Sequence, residues 1–258
     1  MRLAATARAG WRPVAVVVAL LGAWELYVDL GGASTLILPA PRTVAQSLYD
    51  DRSLLWSNFL VTAQEVVLGI LVAAAAAVAL ACAMHFFAVV RQSLYPLLIA
   101  SQTLPIPMLA PVLVLWLGFG ILPKLVVIAV VSFFSIVVTT LAGFASVDPD
   151  LLKLMRTFDA PRRRVFWSIE LPTALPGVFT GAKITVIVAV IGAVFAEQAG
   201  ANSGLGFLFS ESIAQLQTAR AYATVVLLSA FAILLFAALT AAERLATPWA
   251  HQPKETGS

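Results

Sequence analysis

Residues 151–177, Leu151 to Gly177, read "LLKLMRTFDAPRRRVFWSIELPTALPG", a conspicuous polar island between apolar segments. Two short amphipathic pieces, three prolines and the arginine run Arg162–Arg164 make it up. Just upstream, Asp148 is suited to cap a helix that begins at Pro149, where the missing proline N–H has no intrahelical partner to lose. Leu151, Leu154, Met155 and Phe158 then recur at i, i+3, i+4 and i+7, which predicts a helix with one apolar stripe. Asp150, Lys153 and Arg156 fall off that stripe. Pro161 restricts Ala160 and ends the helix there, and a second short helix over 162–169 is expected to lead through Leu171 and Pro172 into the next apolar segment. The geometry this implies is a short helix lying across one face of a bundle.

Outward from the island, the chain is a membrane protein by composition. Its 258 residues are 61% hydrophobic and 11% charged, with a mean hydropathy of +0.96, whereas soluble domains carry roughly 25% charged residues. Apolar runs reach the ~20 residues that a membrane-crossing helix needs. Six spans are predicted, over residues 13–30, 59–84, 93–117, 122–144, 175–198 and 222–242, in a single all-α domain that occupies residues 1–258. Arg2, Arg8 and Arg12 before the first run resemble a signal-peptide start, but the run continues through Trp24 and Leu26, so an uncleaved span is expected. With the N-terminus inside, inner segments hold twelve Lys and Arg and outer ones only Arg42, Arg52, Lys124 and Arg220. That bias puts both termini and the island in the cytoplasm. Between the first two spans, "LPAPRTVAQSLYDD" (38–51) reads as a turn and a short amphipathic helix at the outer interface, with Val44, Leu48 and Leu55 on one side.

Several classes of function are disfavoured. The single cysteine, Cys82, sits in an apolar run, and the two histidines lie far apart, so no disulfide framework or metal cluster is expected. Charges gather between the spans, as topology and lipid headgroups require, rather than on a nucleic-acid-binding module. A phosphate loop needs G-x-x-x-x-G-K-[ST]; the nearest approach, Gly177 to Lys183, has other spacing and ends on Ile184. No nucleophile–base pair emerges, so no catalytic residue is assigned. Polar groups inside the spans cost ~2.5–3.5 kcal/mol when charged, which makes Gln64, Glu65, Gln102, Thr103 and Glu197 candidates for a translocation path. Lys183 is expected to snorkel toward the inner face and Glu197 toward the outer one. Pro105 and Pro107 are expected to kink the third span beside Gln102 and Thr103.

The island resembles the cytoplasmic loop of binding-protein-dependent ABC importer permeases, in which Glu-Ala-Ala is followed after three residues by Gly and, after nine more, by Ile-x-Leu-Pro. Here Ile169-Glu170-Leu171-Pro172 matches the end. Asp159 stands where the family has Gly, and Lys153-Leu154-Met155 where it has Glu-Ala-Ala. If the glycine position is left-handed, a non-glycine there costs roughly 1–2 kcal/mol, which Asp bears better than most; Asp159 is also placed to cap the following helix. "LPAPRTV" (38–44), "QTLPIPMLAPVLVLWLGFG" (102–120) and "AEQAGANSGLGFL" (196–208) are similar to the nitrate, sulfonate and taurine branch. "VDPDLLKLMRTF" (147–158) and "ELPTALPGVFTGAKI" (170–184) are most similar to permeases for the hydroxymethylpyrimidine precursor of thiamine.

This resemblance implies a polytopic permease in the bacterial inner membrane, acting as a dimer of identical chains. Two copies of a separate ABC ATPase, which bind the ATP and Mg, and an external solute-binding protein would complete it; the permease itself needs no cofactor. It also implies that Leu151, Leu154, Met155, Phe158, Asp159, Ala160, Ile169, Leu171 and Pro172 meet the ATPase. A membrane-embedded enzyme or assembly factor is the competing class, and it would call for clustered His, Asp or Cys at one membrane face. A stand-alone secondary transporter is a third, weakened by the lack of an internal repeat.

Overall fold

The computed structural model describes residues 11–251. Arg2, Arg8 and Lys254, counted above on the inner side, lie outside that range, as do both chain ends. The described residues are helical, without strands. Eleven α-helices follow in order: α1 (Trp11–Asp29), α2 (Pro41–Asp50), α3 (Arg52–Phe86), α4 (Ala88–Ser101), α5 (Ile106–Leu117), α6 (Ile121–Ala145), α7 (Pro149–Thr157), α8 (Arg162–Val165), α9 (Leu171–Gly200), α10 (Leu205–Ala214) and α11 (Thr218–Ala246). A π-helical turn, Phe166–Glu170, joins α8 to α9. The end of the bundle that carries α7 is called the inner end below.

Four helical runs are long and apolar enough to cross a membrane: Arg52–Phe86, Ile121–Ala145, Arg162–Gly200 and Thr218–Ala246. The pair α4 and α5 makes a fifth if counted together, but it bends by 105° at its break. The predicted third span, 93–117, is therefore not one rod. Leu104 precedes Pro105, which pushes it out of the helical region. The carbonyls of Leu98 and Ala100 accept from the hydroxyls of Ser101 and Thr103 at 2.7 and 2.8 Å. The predicted first span coincides with α1, whose 19 residues leave Val14, Val16, Val17, Val18, Leu20 and Leu21 exposed; that apolar surface has no cover among the described residues.

At the centre, α6 packs between α3 and α9. Ala73, Ala77 and Ala81 repeat every four residues down α3 and are fully buried, packing in one core with Ile136, Val137 and Leu141 of α6. Such small side chains let helix backbones approach closely where lipid supplies no hydrophobic drive. The α6–α9 contact is closer still: a Cβ on Gly177 would strike the Thr139 carbonyl, and one on Gly181 would strike the Thr139 hydroxyl and the Ile136 backbone. The outer core gathers Val44, Leu55, Leu205, Leu208 and Ala223, with Leu48 packed against it. The amphipathic reading of α2 thus holds, with Val44, Leu48 and Leu55 on a common side.

Candidate functional site

Two regions carry the polar chemistry, one at the inner end and one in the outer half of the bundle. At the inner end, Asp148 caps α7 by accepting the Asp150 N–H at 2.8 Å, and Pro149 takes the first position. The stripe forms as the spacing requires, and it is open. Leu151 is 40% exposed, Leu154 50% and Phe158 73%, with Met155 half-buried. No residue of α7 is buried. The Lys153–Asp150 pair at 2.7 Å lies in solvent, where such pairs contribute ~0–1 kcal/mol.

The turn after α7 is a Schellman motif. Asp159 has φ +52°; its N–H donates to Arg156 O at 3.0 Å and the Ala160 N–H to Met155 O at 3.1 Å, which is the paired 5→2 and 6→1 pattern. The position is left-handed, which is why a glycine would suit it. Asp159 does not cap α8, whose start at Pro161 has no side-chain cap. Ile169, Leu171 and Pro172 do not end the island either. The Leu171 N–H donates five residues back, to Phe166 O, and this wider turn admits Pro172 without a break. The helix consequently runs unbroken over Arg162–Gly200, 39 residues. Glu170 leaves this run toward α3, where its Oε2 lies 3.0 Å from His85 Nε2. The His85 ring stacks on Phe144 of α6 with centroids 4.5 Å apart, and Phe86 and Phe166 close the cluster.

In the outer half, Glu197 is fully buried rather than at the membrane interface. Its Oε1 accepts from the Thr62 hydroxyl at 2.6 Å and its Oε2 from the Gly206 N–H at 2.5 Å. The Leu205 N–H donates to Thr62 Oγ1 at 2.8 Å and the Gly204 N–H to Asn58 Oδ1 at 2.7 Å. These three side chains satisfy the free amides at the start of α10. Gly204, at φ +116°, lets the chain pass so close that a Cβ there would meet the Glu197 carboxylate. Glu65, also buried, pairs with Lys124 of α6 at 2.5 Å. Gln64, its neighbour, is exposed on another face of α3. Gln102 and Thr103 sit exposed at the α4–α5 elbow; Gln102 lines a cleft of about 90 Å³ with Val130, Val131 and Val188. Lys183 does not snorkel to water but pairs with Glu243 of α11 at 2.7 Å. At the outer surface, Arg220 of α11 holds Asp51 at 2.7 Å, and this bond keeps the Asp51 carboxyl below its ordinary value against the opposing effect of burial.

Sequence reasoning missed Asn58, Thr62 and Lys124, and it missed the His85–Glu170 contact. A signal for the first two was present: Asn58, Thr62 and Glu65 recur at i, i+4 and i+7 within an apolar run, one polar stripe on one helix face. Among the described residues, no group of three His, Cys, Asp or Glu side chains could hold a metal ion.

The family described as "Binding-protein-dependent transport system inner membrane component" matches residues 65–249, from the buried Glu65 through the whole inner loop to the end of α11. The chain belongs to that family. It is the permease subunit of an ABC importer, an inner-membrane component with several apolar helices. It is similar to the formylaminopyrimidine transport permease ThiX of Halalkalibacterium halodurans, 33% identical over 92% of this chain and 95% of that one. A probable ABC transporter permease of Haemophilus influenzae is 32% identical over 87% of this chain and 92% of its own. The taurine transport permease TauC of Escherichia coli is 29% identical over 92% of this chain and 88% of its own. An amino acid ABC transporter crystallised with histidines shares the fold, with a TM-score of 0.60 over 78% of this chain and 95% of that chain, at 13% identity.

Proposed function

We propose that the chain works as a dimer with a second copy of itself, two ABC ATPases and an external solute-binding protein, and that it carries a thiamine pyrimidine precursor or a similar small heteroaromatic inward. The uncovered stripe of α7 carries this reading. Leu151, Leu154, Met155 and Phe158 stand on a helix capped at both ends and buried at neither, the form expected of a part that gains its packing from a partner. ATP and Mg belong to the ATPase. Its closure on ATP pushes α7, and Asp159, Ala160, Ile169, Leu171 and Pro172 pass that push into α9 through the π-turn. In this reading α1 and the bent α4–α5 pair bring the spans to six, and the bias of Lys and Arg toward the α7 side sets both termini and α7 in the cytoplasm. A cysteine at exposed Ser203, in a chain lacking Cys82, should then react with an impermeant thiol reagent from outside, and one at Arg163 should not; the reverse would overturn the orientation.

The similarity to a formylaminopyrimidine permease supports the cargo. So does the disposition of charge. An anion path would present Lys or Arg within the bundle, yet Lys124 and Lys183 are each engaged by a carboxylate. Gln102 and Thr103 at the elbow, and Gln64 on an open face, are neutral groups through which an uncharged ring can pass. Glu65 and Glu197 then shape the path from behind, as supports rather than contacts. Uptake by the reconstituted complex should be competed by aminopyrimidines and not by taurine or nitrate. Similarity to taurine and sulfonate permeases supports the second reading; competition by the anions alone would establish it in place of the first.

A further inference from the structure

Between α7 and α8 lies a cleft of about 340 Å³ lined by Leu152, Arg156, Ala160, Arg162, Val165 and Glu170. Of its lining, transport as proposed above uses only Ala160. Arg156 comes from the last turn of α7 and Arg162 from the first turn of α8, so two elements each contribute an arginine to the lining of one cleft. Neither side chain has an ion pair or hydrogen bond among the described residues. The Arg162 guanidinium lies over the Phe86 ring, 5.3 Å from its centroid, a face contact that leaves the edge N–H groups unused. Glu170, the carboxylate on this wall, already holds His85. The walls therefore carry two unpaired cations against one engaged anion, and the cleft is large enough for a headgroup-sized ligand.

Around it the chemistry is that of a membrane surface. Arg163 and Arg164 are exposed on the same short helix. Trp167, one turn further, is 60% exposed, as interfacial tryptophans are at headgroup level. Leu152 and Val165 add apolar wall beside the arginines. Leu152 and Arg156 stand four residues apart along α7, on its flank rather than on the stripe of Leu151, Leu154, Met155 and Phe158, so an occupant leaves the stripe free.

We infer that this cleft binds the phosphate of an anionic phospholipid, gripped between Arg156 and Arg162. Guanidinium forks match phosphate oxygens in pairs, and basic pockets on the cytoplasmic side of helical membrane proteins select such headgroups. Bound there, the lipid ties α7 to α8 and fixes the direction in which the stripe faces. The inference rests on the inner end facing the cytoplasm and is independent of the cargo.

The test is native mass spectrometry of the full-length permease after reconstitution in vesicles of phosphatidylglycerol, of phosphatidylcholine, or of phosphatidylglycerol with inorganic phosphate. The wild type should retain phosphatidylglycerol, and the Arg156→Gln/Arg162→Gln chain should retain it roughly 30-fold less, about fivefold per lost arginine. An Arg163→Gln/Arg164→Gln chain, which changes the same surface charge outside the cleft, should bind like the wild type. Equal retention by the cleft variant overturns the inference, and so does equal loss in the control pair, which would mean diffuse surface attraction. Displacement of the lipid by inorganic phosphate would make the ligand a soluble phosphate and overturn the lipid assignment. Because no residue of α7 is buried, the Arg156→Lys chain folds as the wild type does, and it should recover part of the retention. Lipid retention is read without the ATPase, so failure here leaves the stripe's docking role standing, and failure of docking leaves this result unchanged.

Discussion

Two short helices sit near opposite ends of the bundle, and they are built alike in all but one respect. The inner one, α7, has nine residues and the outer one, α10, has ten. Both end in a Schellman turn whose left-handed position is not glycine: Asp159 at φ +52° and Leu216 at φ +58°. In α10 the Leu216 N–H donates to Ile213 O and the Gln217 N–H to Ser212 O, the same pair of bonds that closes α7. What differs is the foundation. The start of α10 is held by Asn58, Thr62 and Glu197 from two other helices, and Leu205, Gly206, Leu208 and Ser212 are buried. The start of α7 is held only by its own Asp148, and nothing on it is buried. The same local geometry thus serves a fixture at one end and an unfinished contact at the other; tertiary partners, rather than helix length or capping, decide which it is.

The widest gap between the two should appear on Gly204→Ala. Left-handed strain of ~1–2 kcal/mol adds to an overpacking cost of ~1–3 kcal/mol against Glu197, so the solubilised permease should lose about 3 kcal/mol and melt roughly 5–10 °C lower. An unchanged Tm would mean that α10 is as loosely founded as α7. Next in size is Phe158→Asp in α7. Here Tm should stay level, because the side chain is already exposed, while affinity for the ATPase falls about 30-fold, the loss of one apolar anchor worth ~2 kcal/mol. Intact binding and normal coupled transport would reduce the stripe to a membrane-surface connector. The smallest effects sharpen the parallel between the turns. Leu216→Gly should stabilise by about 1 kcal/mol and Asp159→Gly by about half that, since a short polar side chain tolerates the left-handed region better than leucine. A loss of stability on Asp159→Gly would give that carboxylate a bond of its own.

How much of this was legible beforehand differs between the two helices for the same reason. The island that contains α7 is local: cap, stripe and stop follow from Asp148, the leucine spacing and Pro161, and each is where it was expected. Even the handedness at Asp159 could be framed from the resemblance, which implies a glycine there. Around α10 the decisive bonds join residues 135 to 146 positions apart, and no window of sequence shows such pairing. Glu197 alone reads as a polar group near a span end; only the fold turns it into a cap. The long apolar helices α3, α6, α9 and α11 were legible from length and hydropathy. The elbow after Ser101 and the π-turn before Leu171 were not, because proline marks a disturbance without saying whether the chain will fold back or widen by one residue.

The π-turn has a mechanical consequence. Because it lets the loop and α9 form one helix from Arg162 to Gly200, that rod is about 58 Å long, nearly twice the hydrocarbon thickness it crosses. Two carboxylates on it, Glu170 and Glu197, reach the same neighbour, α3, at His85 and at Thr62. The pair behaves as a ladder with a rung near each end. In the proposed cycle a shove at the foot meets no loop between Arg162 and Gly200, so both rails are expected to tilt together and the displacement to arrive at the outer rung beside α10 in the same stroke.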